Sequence, residues 1–397
     1  DVAGSLVWPG SDGFCDVQTQ GVGLHCFSDL SLHLGVGRSL VPEDPGLVQY
    51  TSNLPPGSRI VLWIFQVLAS LVGFRATFAV YLALSAAALL VPALWAVRGR
   101  SWPHAAVIVV LTSIATVPFL AVLDRGNTIA FAIPFIFLFI LALARGQDAL
   151  AITSVVLAAQ LKPQFGLLVF GLFILRRWRV GVLAIVASGT VFLGSFLIFA
   201  VPGAGSSPLD EFKRFILFSQ FRGNYVPMDS SYPVNISFQK ILYVINDELF
   251  GVLLSPWALQ FLILLIVALV LGALMWRGRH LPYVVWISVV LMSSALVVAV
   301  TFIYYFALVL IIGALLVTPV SASEDRGRPR PLEYALLAAT VMSLTPLLIP
   351  GGWTDSPVDV VGNGVVVSLL PYFASGAWLT LVVATGIAAA RAKASDG

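Results

Sequence analysis

The chain has 397 residues, 59% of them hydrophobic and only 10% charged, with a mean hydropathy of +0.97 and a formal net charge of +3. Water-soluble domains carry about 25% charged residues, so a soluble globular enzyme is excluded and a polytopic membrane protein is indicated. Apolar runs of about 20 residues, the length a helix needs to cross the hydrocarbon core, recur through the chain from residue 75 onward.

The sequence starts at Asp1 rather than Met, so either a targeting segment was removed or a first helix ending near Val7 is missing; the second is expected, because "DVAGSLVWPG" reads as the last turns of a helix reaching an interface, with Trp8 at headgroup depth. The stretch "FCDVQTQGVGLHCFSDLSLH" follows, holding both cysteines, His25, His33, Asp16 and Asp29. Cys15 and Cys26 can close a short loop in an oxidising compartment, and a disulfide is expected. Two unpaired thiols and a metal site are the alternatives, though the Cys and His spacing matches no common zinc pattern. "SDLSLHLGVGRSL" alternates leucines with polar residues and is expected to lie along the membrane surface. The apolar stretch beginning at Ile60 is too short to span comfortably and is read as interfacial or re-entrant.

Spans are then expected over 75–97, 104–123, 128–144, 148–162, 164–175, 180–201, 252–275, 281–299, 300–317, 332–350 and 365–390, an all-α bundle of about 11 membrane segments in a single domain, 1–397. This succession places "RGR", Arg145, "RRWR", "RGRH", "RGRPR", Arg391 and Lys393 on one side. That side holds 13 of the 22 Lys and Arg in short loops, while the other holds 14 of the 19 acids and the long loops 1–58 and 202–251. By the positive-inside rule the basic side is cytoplasmic. Orientation accounts for the basic loops, and no nucleic-acid partner is called for. The helices on either side of "LKPQ" are short and meet at Lys162 and Pro163, where proline breaks the helix. Broken helices at membrane depth are tolerated where they line a cavity, which makes this a candidate site. In the second long loop, "DEFKRFILFSQF" has the spacing of another interfacial helix.

Phosphate-loop, His-Glu-x-x-His, Gly-x-Ser-x-Gly and Asp-x-Asp signatures are absent from the sequence. The outer side instead offers a carboxylate, Asp29, with cations at or near membrane depth, Arg125, Lys162, Arg214 and Arg222; charges so placed usually mark function. A carboxylate that takes a proton from an acceptor hydroxyl and cations that hold a leaving phosphate are what glycosyl transfer from a lipid-phosphate sugar requires.

"FSDLSLHLGVG", Tyr50 with Pro55 and Pro56, "DRGNTIAF", "LKPQ", "NIS" and the Tyr-Tyr helix start occur in that order. Together they resemble the GT-C superfamily of polyprenol-phosphate-sugar-dependent glycosyltransferases. The branch they look most like is family 87, with its actinobacterial mannosyl- and arabinofuranosyltransferases. The resemblance implies that Asp29 is the base. It also implies that Lys162 and Gln164 hold donor phosphate and that Asn127 and Asn235 with Ser237 contribute to substrate binding, beside Arg125 and Arg222, expected there from their charge near membrane depth, and His25, expected there from its place in the stapled loop. "RGN" stands where the family has Gly-Gln-x-Asn, and "TFIYY" where members commonly have Trp with His or Tyr, so Tyr304 or Tyr305 would have to serve there. The implied reaction moves mannose or another hexose or pentose, with inversion and without a cofactor, to a lipid or glycan acceptor on the outer face of the cytoplasmic membrane.

Simpler roles stand beside these. Asp29 can cap a helix, with Asp12 or Asp16 as the base instead; Lys162 can snorkel to the interface. Asp124 and Arg125 can form a surface ion pair, and His25 can satisfy a loop hydrogen bond. A non-enzymatic lipid or glycan transporter is the alternative function. It would carry paired broken helices in both halves, and the sequence shows no counterpart to "LKPQ".

Overall fold

A computed structural model describes residues 55–198, 236–250, 254–298, 301, 303–318, 331–345, 350–354, 365–368 and 370–392, with a few single residues within 207–213. In chain order the helices are α1 Pro56–Val72, α2 Phe74–Ala96, α3 Trp102–Val109, α4 Val117–Arg125, α5 Ile129–Arg145, α6 Asp148–Leu161, α7 Phe170–Ile174 and α8 Trp178–Ile198. They continue as α9 Phe238–Phe250, α10 Pro256–Arg277, α11 Tyr283–Leu296, α12 Leu308–Val317, α13 Pro331–Leu344 and α14 Leu370–Arg391.

Four helical stretches, Arg75–Ala96, Trp178–Leu197, Trp257–His280 and Leu370–Arg391, are long and apolar enough to cross a membrane. A fifth is reached if Trp102–Ile114 and Val117–Leu123, bent by 61°, form one span. Among the described residues, length and composition therefore support four or five spans, and the count of about eleven is not confirmed. The difference lies in the middle of the bundle. At 1.5 Å per residue, the 14 residues of α6, α11 and α13 reach about 21 Å, short of the roughly 30 Å core.

Burial explains how such short helices are accommodated. Twelve of the 14 residues of α11 and eleven of the 17 in α5 are buried, so both are covered by other helices on nearly every side. The long α8 instead exposes Val182, Leu183, Ile185, Val186, Leu193 and Leu197; such a continuous apolar surface suits lipid. The centre packs α5 against α6, α6 against α8, and α13 and α10 against α14.

Three other expectations are revised. The 104–123 span is interrupted by a π-turn at Val110–Ile114 before the bend. Residues 365–368, expected to open the last span, instead form a strand. Val365–Ser368 pairs antiparallel with Pro350–Thr354, Trp353 opposite Val366, adding a two-stranded ribbon to a helical fold. The 300–317 span is a 3-10 turn, Ile303–Ala307, followed by the ten residues of α12.

Candidate active site

The chain breaks at Lys162, which is extended at φ −147 and ψ 107. The proline that follows excludes helical geometry for the residue before it and cannot donate a backbone hydrogen bond. A 3-10 turn, Pro163–Val169, carries the chain back. The Lys162 side chain is 9% exposed, and its Nζ lies 5.8 Å from the centroid of the Tyr305 ring. Gln164 Nε2 donates to the Tyr305 hydroxyl at 2.9 Å, and the Tyr304 and Tyr305 rings stack at 5.0 Å. Two 3-10 turns, one from each half of the chain, thus meet at this point; the sequence had shown no partner for the first.

Among the described residues no carboxylate ion-pairs with Lys162. Asp148 is committed to Arg177 at 2.8 Å, at the opposite end of α6. An ammonium taken out of water is costly unless paired, and a cation–π contact, worth about 0.5–2 kcal/mol, offsets only part of that cost. The arrangement suits an anionic ligand.

The start of α1 is fastened to the break. Pro55 and Pro56 set the entry, and Gly57 passes so close to α6 that an added Cβ would clash with the Gln160 carbonyl. Ser58 Oγ donates to the Leu161 carbonyl at 2.6 Å and lies 3.3 Å from Thr128 Oγ1. Thr128 belongs to the "DRGNT" turn, where Gly126 ends α4 in the left-handed conformation, φ 61, and accepts from the Tyr81 hydroxyl at 2.7 Å. Asn127 is buried, and its Oδ1 accepts from the Ile129 N–H at 2.9 Å, which gives it a structural task at the head of α5. Arg125 is the last residue of α4.

A few residues before the tyrosines in the chain, the Thr301 carbonyl accepts from the Ile236 N–H at 2.7 Å, and Ser375 Oγ donates to the Ile236 carbonyl at 2.7 Å. Ser237 is buried and accepts from the Lys240 N–H at 3.1 Å, capping α9. Lys240, which the sequence reading passed over, is 4% exposed with Nζ 5.5 Å from the Tyr243 ring centroid. Its position one turn after "NIS" is the signal that could have found it. Asp29, His25, Cys15, Cys26, Arg222 and Asn235, with Asp12, Asp16 and Arg214, lie outside the described residues. No group of three or more His, Cys, Asp or Glu able to hold a metal occurs among the described residues.

A cavity of about 670 Å³ opens between α1, α5, α6 and α8, walled by Ile60, Phe131, Phe135, Leu157 and Val191. Gly57 and Leu161 close it on the side of the Lys162 break. The cavity wall thus ends at Gln160 and Leu161, the two residues that precede Lys162 in the chain, while the Lys162 side chain itself lies toward the Tyr305 ring.

Comparison with curated proteins and with solved structures returned no match. The family model of glycosyltransferase family 87 matches residues 54–300, a segment that holds the α1 entry, "RGN", "LKPQ" and "NIS" and stops just short of Thr301 and the tyrosine pair. With well over half of the chain covered by that match, the protein belongs to glycosyltransferase family 87.

Proposed function

We propose that the protein transfers a hexose or pentose, mannose among the candidates, from a polyprenyl phosphate to a lipid or glycan acceptor on the outer face of the cytoplasmic membrane. Membership of the family makes it a glycosyltransferase; the donor, acceptor and sidedness are our reading. The observation that carries the donor class is Lys162, buried and without a described carboxylate partner, at the break that follows Gln160 and Leu161 in the wall of the apolar cavity. Its ammonium would hold the phosphate, with Gln164 and Tyr305 fixing the 3-10 turn beside it, while the isoprenoid tail occupies the cavity. Arg125, Arg222, His25, Asn235 and Tyr304 are proposed to complete the binding of donor and acceptor.

Asp29 is proposed as the base. Its carboxylate takes the acceptor hydroxyl proton as the acceptor oxygen bonds to the anomeric carbon from the face opposite the phosphate. The bond from that carbon to the phosphate oxygen breaks, its electron pair leaves with the polyprenyl phosphate, and configuration inverts. Negative charge grows on the leaving phosphate, where a positioned cation stabilises the transition state more than the ground state. Cys15 and Cys26 are proposed to be bonded to each other, holding the loop that leads into Asp29; alkylation of both under non-reducing conditions would refute this.

The purified full-length protein should be incubated with radiolabelled polyprenyl-phosphate mannose and polyprenyl-phosphate arabinofuranose in the presence of cell-envelope lipids. A labelled glycolipid formed from either supports the donor class. Transfer only from a sugar nucleotide, or movement of labelled lipid between leaflets with no new glycoside, overturns it.

A further inference from the structure

At the end of the bundle opposite Lys162, four turns come together. Gly146 lies against Arg177, whose Nη2 would be 3.4 Å from an added Cβ. Gly278 lies against Ile174, Arg176 Nη2 donates to the Trp276 carbonyl at 2.6 Å, and Arg277 donates to the Ala390 and Ala392 carbonyls at the end of α14. These contacts gather seven arginines, Arg145, Arg176, Arg177, Arg179, Arg277, Arg279 and Arg391, with Asp148 the one carboxylate described among those turns.

The seven divide by what they touch. Arg176 and Arg277 tie turns together through backbone carbonyls, and Arg177 is paired with Asp148. Arg145, Arg179, Arg279 and Arg391 are exposed and have no hydrogen-bond or ion-pair partner among the described residues. Two exposed tryptophans stand among them, Trp178 and Trp276, with Arg176 and Arg277 over their rings at 6.0 Å and 4.5 Å. Tryptophan with an apolar body and a polar N–H favours the headgroup level of a bilayer.

The backbone is bent to make this surface. Helices α4 and α5 both end with a left-handed glycine, Gly126 and Gly146, whose following N–H bonds back to the last turn. Helix α7 ends in the same way, the Arg177 N–H bonding to the Leu172 carbonyl, but the left-handed position, φ 61, is occupied by Arg176. Glycine is the residue this conformation favours, and a side chain there costs about 1–2 kcal/mol. The guanidinium offsets that cost by holding the 276–279 turn next to 176–179, which places Arg179 and Arg279 on adjoining turns with the two tryptophans.

We infer that this arginine and tryptophan platform binds the phosphodiester headgroup of an anionic phospholipid. Arginines on adjoining turns offer a phosphate several N–H donors, clustered basic residues at helix ends attract such lipids, and the tryptophans place the platform at headgroup depth. A basic surface that served only to orient the chain would not distinguish headgroups.

The test is native mass spectrometry of the detergent-solubilised full chain titrated with dioleoylphosphatidylglycerol or dioleoylphosphatidylcholine. The anionic lipid should bind at least tenfold tighter. The double variant Arg179→Ala/Arg279→Ala should weaken it by about tenfold or more, as loss of two near-surface cations implies, with the zwitterionic lipid unchanged. Arg179→Lys/Arg279→Lys should keep the preference. Equal affinity for the two lipids, an alanine double variant that binds like the parent, or a preference abolished by Lys162→Ala instead overturns the inference. Each of these readouts is independent of sugar transfer.

Discussion

The two ends of the bundle use cations in opposite ways. Lys162 is buried at a proline break, has no described carboxylate partner and follows directly on Leu161, which lines an apolar cavity. The arginines at the other end are mostly exposed, and those with partners hold backbone carbonyls or Asp148. Both regions are a short helix end followed by a basic residue, yet one shelters its charge and the other displays it. The neighbours make the difference. At the first end, Ser58, Gly57 and the Tyr304–Tyr305 turn close over the break. At the second, helix ends protrude and their last carbonyls need donors, which arginines supply. A sheltered cation suits a ligand that arrives with its own charge, whereas a displayed one suits a surface.

The sharpest way to break this comparison is to remove the base proposed to serve the sheltered site. Asp29→Asn keeps shape and loses basicity, and should lower turnover about 100- to 10,000-fold with donor affinity little changed. Near-normal turnover in Asp29→Asn with loss in Asp16→Asn or Asp12→Asn would move the base within the loop, and full activity in all three would refute the mechanism.

Removing the sheltered charge comes next. A hydrogen bond to a charged group is worth about 1.5–3 kcal/mol, so Lys162→Ala should weaken donor binding roughly 10- to 150-fold, measured by titration with a polyprenyl-phosphate sugar. Lys162→Arg should recover part of the loss because it keeps charge but not shape. Unchanged donor affinity in Lys162→Ala would make this cation as incidental to transfer as those at the other end.

Smaller effects refine the picture. Tyr305→Phe removes the acceptor of the Gln164 amide and should cost about 0.5–1.5 kcal/mol, read as a several-fold rise in donor KM. Gln164→Ala should give a similar rise, and the double variant no more than either alone, because the pair acts as one contact. At the displayed end, Arg176→Gly relieves the left-handed backbone but loses the bond to the Trp276 carbonyl, so thermal stability should change by less than about 1 kcal/mol. Arg176→Ala loses the bond and keeps the strain, and should be the less stable of the two by thermal denaturation in detergent.

The membrane class, the helical character and the Lys162 break were legible in the sequence because each is local. Hydropathy is a sum over neighbours, and a Lys-Pro step dictates extended geometry wherever it occurs. The family motifs were legible for the same reason. Which apolar helices are enclosed was not, because apolar composition does not say whether a helix faces lipid or other helices: α11 and α8 are both apolar, but α11 is enclosed and α8 is not.

What the sequence by itself determined is thus the solvent this chain lives in, the kinds of element it forms and the order of its motifs. The tertiary structure alone decided which distant residues share a site. It set Gln164 against Tyr305, 141 positions on, and Ser58 against Leu161; it gave Asn127 the head of α5, buried Lys240, and turned 365–368 into a strand. The physical reason is that contacts between residues far apart in the chain depend on how helices pack, and packing responds to shapes and close approaches, such as Gly57 against the Gln160 carbonyl, that no local pattern of hydropathy encodes.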